Sequence, residues 1–304
     1  MKYWSNITKE VIASLLLVCL LLLLPSARAA ADTDAVVSFL GPTGTYTEQA
    51  AQLLFPQGAV FQPRETVADA VSDVLEKSAD FAVIPQENTI GGPVYDYLDE
   101  LLTHQELYVV GEVELPIRQA LVAPEGASLE TIQTVYSYKQ GIAQGKDWLQ
   151  MNLPDAQVIE VSSTAEGARL AAQCTDGTIA AIASTQAAKV YGLQVLAESI
   201  QGSDSNVTRF YLVSTQPCFT DAPERMTFSA TGPAEALPDL LTAMDAQGLR
   251  LITLHDRPAK TILGEYVYLL ECSGGGQDEY AQLAEECDGF TLRYLGSYRV
   301  TAGE

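Results

Sequence analysis

From residue 36 to residue 213 the chain alternates short apolar runs with amphipathic helical patterns, and that alternation restricts it to layered α/β architecture. Strand-like runs fall at 36–40, 81–84, 109–115, 119–122, 134–136, 158–161, 178–182 and 210–213. Helical patterns fall between them: 48–54, a stretch opening at Thr66 with Asp69 in its first turn, one running to Leu102, then 140–151, 164–172 and 185–191 with Gly192 as its stop. Pro116 separates two strands and marks a crossing between two lobes, and the return to a strand at Phe210 predicts a cleft between them. Residues 215–224, holding Pro217 and Pro223, break the pattern as a linker. Beyond them the order strand 226–230, helix 237–247, strands 249–254 and 266–272, helix 278–286 and strand 291–298 spells the βαββαβ of a small ferredoxin-like domain.

Charge and cysteine content narrow the function classes. The formal net charge of −22 argues against nucleic acid and anionic membranes as partners. It also works against steering of an anionic substrate, so an anion site has to be built locally from arginine and helix N-termini. His104 and His255 are the only histidines and have no second ligand at metal spacing, so no metal site is expected. Residues 1–30 read as a secretory signal: Lys2 and Lys9 precede an apolar run at 11–24, and small residues before Ala29 and Ala31 offer cleavage positions. The run is shorter than the roughly 20 residues needed to span a bilayer, so a membrane anchor through an uncleaved signal is the second option. Cys174, Cys218, Cys272 and Cys287 match no metal or redox spacing and are expected as free thiols.

Polar groups gather at three strand ends. After the first strand, Gly41-Pro-Thr-Gly-Thr-Tyr-Thr47 leads into a helix, which makes an anion cradle in which Thr45 and Thr47 serve as caps or ligand contacts alike. The strand ending at Ile84 delivers Glu87, Asn88 and Thr89, where open α/β sheets bind ligands and where a turn with an N-cap looks the same. The stretch Ser203 to Val213 sets Thr208 and Arg209 at the mouth of a strand beginning at Phe210. There a guanidinium can clamp a carboxylate and a hydroxyl can meet a leaving group, while a surface loop with an ion pair is the plainer account.

Together these residues resemble the prephenate dehydratase family from about Val36 to Tyr298. Gly41-Pro-Thr-Gly-Thr-Tyr46 is similar to the family's opening glycine loop, Pro85-Gln-Glu-Asn-Thr89 with Gly92 and Val94 to its proline-x-glutamate-asparagine-serine stretch, and Thr208-Arg-Phe210 to its threonine-arginine-phenylalanine motif. Ser137 and Gln144 stand where the family keeps an active-site serine and glutamine, and Ser162-Ser-Thr-Ala-Glu166 opens the matching helix. The resemblance implies a two-lobed catalytic domain at 35–214, similar to periplasmic binding proteins, and an ACT-like domain at 225–301, assembled as a homodimer or homotetramer. It implies conversion of prephenate to phenylpyruvate in phenylalanine biosynthesis without a cofactor, with arogenate as the alternative substrate. It further implies catalytic roles for Thr208, Glu87 and Asn88, and substrate contacts from Arg209, Phe210, Thr89, Ser137, Gln144, Ser163 and Thr45.

Departures from the family pattern carry their own expectations. Tyr138-Lys139 replaces the histidine and proline after the serine, adding a cation at the pocket edge. Ala234-Glu-Ala-Leu237 and His255-Asp-Arg-Pro258 replace both phenylalanine-sensing motifs, so feedback binding of phenylalanine is not expected. Export is unusual for this pathway and keeps a second function class in view, a solute-binding protein that uses the same cleft without catalysis.

Overall fold

The apolar runs assemble into three sheets. In the computed structural model, which describes residues 34–218 and 220–303, β1 (Val36–Leu40) pairs in parallel with β2 (Val60–Arg64) on one side and β3 (Phe81–Asn88) on the other. Helices α1 (Tyr46–Leu54) and α2 (Val67–Leu75) make the crossovers, the second opened by a capping box between Thr66 and Asp69. A two-residue strand, β4 (Gly92–Pro93), folds back on β3 before α3 (Tyr95–Thr103) and β5 (Tyr108–Pro116). The export segment expected at 1–30 lies outside the described residues.

At Pro116 the chain crosses to a second sheet, built from β6 (Ala120–Ala123), β7 (Thr134–Ser137), β8 (Gln157–Glu160), β9 (Ile179–Ala183) and β10 (Gln194–Ala197) in the order β10-β6-β9-β7-β8. Its helices are α4 (Lys139–Asn152), α5 (Thr164–Ala171) and α6 (Thr185–Tyr191), the last stopped by Gly192 at φ 67°. Strand β11 (Val207–Ser214) then returns to the first sheet and lies antiparallel between β3 and β5. Two lobes joined by two crossings result, with a cleft between them.

The C-terminal part is a ferredoxin-like layer: β12 (Arg225–Pro233), α7 (Leu237–Ala246), β13 (Arg250–Pro258), β14 (Glu265–Ser273), α8 (Gln277–Glu286) and β15 (Thr291–Tyr298), with sheet order β13-β14-β12-β15. The last strand, β16 (Val300–Ala302), leaves this domain and pairs in parallel with β5 of the first sheet. Residues 300 and 301, expected at the end of the C-terminal domain, thus find their backbone partners on the first lobe. Strand β2 carried no clear signal because Pro63 interrupts it, and such a proline is accommodated because β2 is an edge strand.

Strand alternation explains why β11 is buried along its length. Phe210 and Leu212 enter a core with Val37, Phe39, Val83 and Val113, whereas Tyr211 and Val213 face Leu269, Leu295 and Tyr298 of the C-terminal sheet. That sheet is covered on both sides, since Met226, Phe228, Leu270 and Cys272 point into a separate core under α7 and α8. The two sheets meet closely: a Cβ on Gly296 would lie 1.9 Å from the Val109 carbonyl oxygen. Arg293 reaches across and donates to the carbonyls of Leu101 (3.2 Å), His104 (2.9 Å) and Leu107 (2.7 Å), closing the C-terminal end of α3 with a cation.

A buried ion cluster fills the centre of this contact. Arg209 of β11 donates through Nε to Glu112 (2.8 Å) and through Nη2 to Glu271 of β14. Arg225 of β12 donates to Glu271 (2.6 Å) and to Glu114 (2.6 Å), and the Tyr211 hydroxyl donates to Glu271 (2.6 Å). Burial opposes the charge on Glu271, yet Arg209, Tyr211 and Arg225 hold its carboxyl below the usual range. Glu112 goes the other way: burial, with the charge of Glu271 adding to it, overcomes Arg209 and pushes Glu112 up to about 7. Its value when folded lies above the unfolded one near 4.5, so the stability that Glu112 contributes is complete below that value and is lost as pH rises through about 7. Glu112→Gln should remove this loss, so the melting temperature of the variant relative to wild type should climb by roughly a few degrees between about pH 5 and about pH 8. A difference that stays flat with pH would reject the assignment.

Candidate active site

A cleft of about 970 Å³ lies between the lobes, walled by Thr45, Asn88 and Thr208 from the first and Tyr138, Gln144 and Ser163 from the second. The first turns of α1, α4 and α5 border it. First-turn N–H groups have no partner inside their own helix, so three partly positive helix ends are brought to one space. Thr45 accepts from the Glu48 amide and donates to the Leu40 carbonyl, and Ser163 accepts from the Glu166 amide. By contrast, Tyr138 at the start of α4 makes no side-chain cap.

The lobes touch around this space. Gln140 Nε2 donates to Asn88 Oδ1 at 2.9 Å, the Tyr191 hydroxyl to the Thr43 carbonyl at 2.6 Å, and the Tyr46 hydroxyl to the Arg118 carbonyl at 2.6 Å. Gly44 has φ 89°, and a Cβ there would sit 3.2 Å from the Tyr191 ring, so glycine is needed for conformation and for this approach.

Asn88 is the organising side chain. Its Oδ1 accepts from the amides of Ile90 (3.0 Å) and Gly91 (2.8 Å) and from Gln140, while its Nδ2 donates to Asn206 Oδ1 (2.7 Å) and to Thr208 Oγ1 (2.9 Å). The Thr208 hydroxyl is thus an acceptor toward Asn88, and its own proton has no acceptor among the described residues. It lines the cleft with that proton available to a ligand. Gln144 is similar: its Oε1 accepts from Gln119 at 2.9 Å, leaving its amide N–H groups for the cleft.

Five of the residues expected in the site are placed elsewhere, and strand alternation accounts for two of them, Arg209 and Glu87. Strand β11 begins at Val207, earlier than expected, so Thr208 and Arg209 sit inside it and point to opposite faces. Arg209 is turned into the ion cluster and is absent from the cleft wall; Glu87, opposite it in register, lies 3.4 Å from its Nη1 on the same far face. Phe210 is buried in the core under the cleft floor. Ser137 is fully buried and donates to the Ile182 carbonyl at 2.7 Å, beneath the start of α4, where a Cβ on Gly141 would lie 2.6 Å from its oxygen. Thr89 is exposed and ties the chain to the Ser205 carbonyl and the Val207 amide. Lys139 stands over the Tyr138 ring at 5.7 Å and is likewise not part of the wall.

A family model described as prephenate dehydratase matches residues 37–218. The chain belongs to that family. It is 36% identical over 274 residues to the bifunctional chorismate mutase/prephenate dehydratase of Neisseria gonorrhoeae, covering 88% of this chain and 75% of the relative. It is 32% identical to the prephenate dehydratase of Amycolatopsis methanolica, covering 86% of this chain and 88% of the relative. The crystal structure of prephenate dehydratase from Arthrobacter aurescens in complex with L-Phe aligns with a TM-score of 0.76 at 31% identity, over 87% of this chain and 90% of that one.

Within this prephenate dehydratase family member, sequence reading missed Arg64, Gln119 and Gln140 in the cleft wall. Gln140 was legible as a first-turn residue of a helix next to Tyr138; Arg64 was hidden by the proline before it. Among the described residues no group of three or more His, Cys, Asp or Glu side chains is arranged to hold a metal. Since Arg209 pairs with buried carboxylates rather than facing the cleft, Arg209→Gln should lower unfolding free energy by about 3 kcal/mol. It should leave the Michaelis constant of the family's reaction little changed. A marked rise in that constant with unaltered stability would return Arg209 to the substrate.

Proposed function

We propose that this chain is a prephenate dehydratase, removing carbon dioxide and hydroxide from prephenate to leave phenylpyruvate. The observation that carries this reading is the Thr208 hydroxyl in the cleft wall, which accepts from Asn88 and so keeps its proton for a ligand. As the carbon–carbon bond to the ring carboxylate breaks, its electron pair enters the ring and the hydroxide leaves from the opposite carbon. Thr208 donates a hydrogen bond to the oxygen that is gaining charge, an interaction stronger in the transition state than before it. Gln140 donates to Asn88 and so orients the amide that the hydroxyl accepts from, Gln144 supplies a neutral donor, and the helix ends of α1, α4 and α5 suit a dianion in a chain of strongly negative charge. Aromatisation drives the step, and the residues present call for no cofactor.

The C-terminal domain is read as an ACT domain that no longer senses phenylalanine. Glu235 sits exposed on the turn Ala234–Ala236, and His255 is buried against lobe one with its Nε2 3.4 Å from Gln86 Nε2. The domain is also read as the contact of a homo-oligomer, because edge strand β13 exposes Leu251 and Ile252, and Ile262 and Leu263 follow in the adjoining loop. Export is supported by the apolar run at 11–24 with Lys2 and Lys9 before it, and N-terminal sequencing of mature chain beginning after Ala29 or Ala31 checks it. Among the described residues no helix is long and apolar enough to cross a membrane.

Incubation with prephenate should yield phenylpyruvate, and Thr208→Ala should lower kcat on the order of 10²-fold or more with a smaller change in the Michaelis constant. Faster turnover of arogenate than of prephenate would reassign the substrate, and binding of either without turnover would favour the solute-binding reading. Calorimetric titration with L-phenylalanine is expected to show no binding at regulatory concentrations, and light scattering to give a mass above that of one chain. A tight phenylalanine complex or a monomer would overturn the corresponding part.

A further inference from the structure

We propose that Arg64 is the carboxylate anchor of the cleft and grips the side-chain carboxylate of the substrate, the one retained in the product. This deepens the dehydratase reading and rests on it. The cleft wall carries two acidic side chains, Glu65 and Glu166, and Arg64 is the only lysine or arginine among the described residues that line it. Glu166 is already engaged, with both oxygens 2.7 Å from Arg169. A dianionic ligand entering a chain of net charge −22 therefore meets one guanidinium and the ends of three helices.

The surroundings of Arg64 hold it in one direction. Its Nε donates to Asp73 Oδ2 at 2.5 Å, its Nη2 to Gln62 Oε1 at 2.7 Å and its Nη1 to the Pro63 carbonyl at 3.3 Å. Asp73 is anchored in turn by Ser38 (2.5 Å) and Ser78 (3.1 Å); burial opposes its charge, but these hydrogen bonds and Arg64 hold it below the usual carboxylate range. A guanidinium has five N–H donors, so one remains on each terminal nitrogen, the number a carboxylate accepts in a two-pronged contact. The side chain is 33% exposed, enough to reach a ligand and not enough to wander.

Position on the sheet selects which carboxylate it takes. Thr208 is on β11 and Arg64 on β2, with β3 and β1 between them, and Arg64 is level with Ile84, four residues before the Asn88 that pairs with Thr208, so three strand spacings of about 4.8 Å combine with about 13 Å along the strands to set their backbones on the order of 19 Å apart. A substrate whose ring hydroxyl meets Thr208 extends its side chain away from that strand, toward the far edge where Arg64 waits. The chemistry agrees. The ring carboxylate surrenders its charge as carbon dioxide forms, so a firm clamp on it would stabilise the ground state and slow the step, whereas the side-chain carboxylate keeps its charge throughout.

Binding uniform through the reaction affects the Michaelis constant and leaves turnover alone. Arg64→Gln should raise the Michaelis constant for prephenate by about ten- to hundredfold with kcat within a few fold, and Arg64→Lys should fall between the two. Calorimetric titration with phenylpyruvate, which carries the same carboxylate, should show an equal weakening, with melting curves reporting whether each variant is folded. Unchanged affinity for phenylpyruvate in folded Arg64→Gln would overturn the anchor, as would a loss confined to kcat. Failure of the wild-type chain to convert prephenate would sink the dehydratase reading by itself, because the phenylpyruvate titration decides the role of Arg64 without turnover.

Discussion

A guanidinium taken out of water has to be paired, and Arg209 is paired with carboxylates from two different sheets. Glu112 belongs to the first sheet and Glu271 to the C-terminal one, and Arg225 with the tyrosine hydroxyls of residues 211 and 298 satisfies the rest of Glu271. Removing Arg209 leaves carboxylate charge stranded where water does not reach, which costs more than the pairs contribute when intact. The contact between the first lobe and the C-terminal sheet is therefore specified as well as covered. Apolar side chains such as Leu269, Leu295 and Tyr298 supply area, and the ion cluster fixes the register in which that area meets β11. Because Thr208 is the next residue along the same strand, the placement of its hydroxyl inherits that register.

Much of the layered architecture was legible because periodicity is a property of many residues at once. The βαββαβ order and the return at β11 follow from patterns that no single side chain decides, and Pro116 and Gly192 punctuate them. The C-terminal strand β16 left no such trace, being short and adjacent to β15, so its assignment to the first sheet depends on tertiary pairing alone.

The candidate site was legible in part, and the boundary falls where residue facing begins to matter. Motif resemblance grouped Thr208 with Arg209 and Asn88 with Glu87, yet neighbours in a strand point to opposite sides. One member of each pair reaches the cleft and the other reaches the ion cluster. A start of β11 placed at Phe210 instead of Val207 was enough to hide this, since residues in a loop are not bound to alternate. Ser137 shows a second limit: its hydroxyl is used inside the fold, bonded to the Ile182 carbonyl below α4. Arg64 shows a third, because an arginine after a proline on an edge strand carries no mark of the cleft until the sheet order brings β2 beside β1.

The route of the chain after Tyr298 changes what kind of unit the C-terminal domain is. It departs from the first sheet at the end of β11 and comes back to it as β16 against β5, with Val300 opposite Glu112. Topologically it is an insertion between two strands of one sheet, stitched at both ends, rather than a module hung from a single linker. Exchange of this domain between related chains by simple end-to-end fusion would leave the first sheet without its outermost strand. Recombination that preserves the fold has to carry the residues on both sides of the junction together.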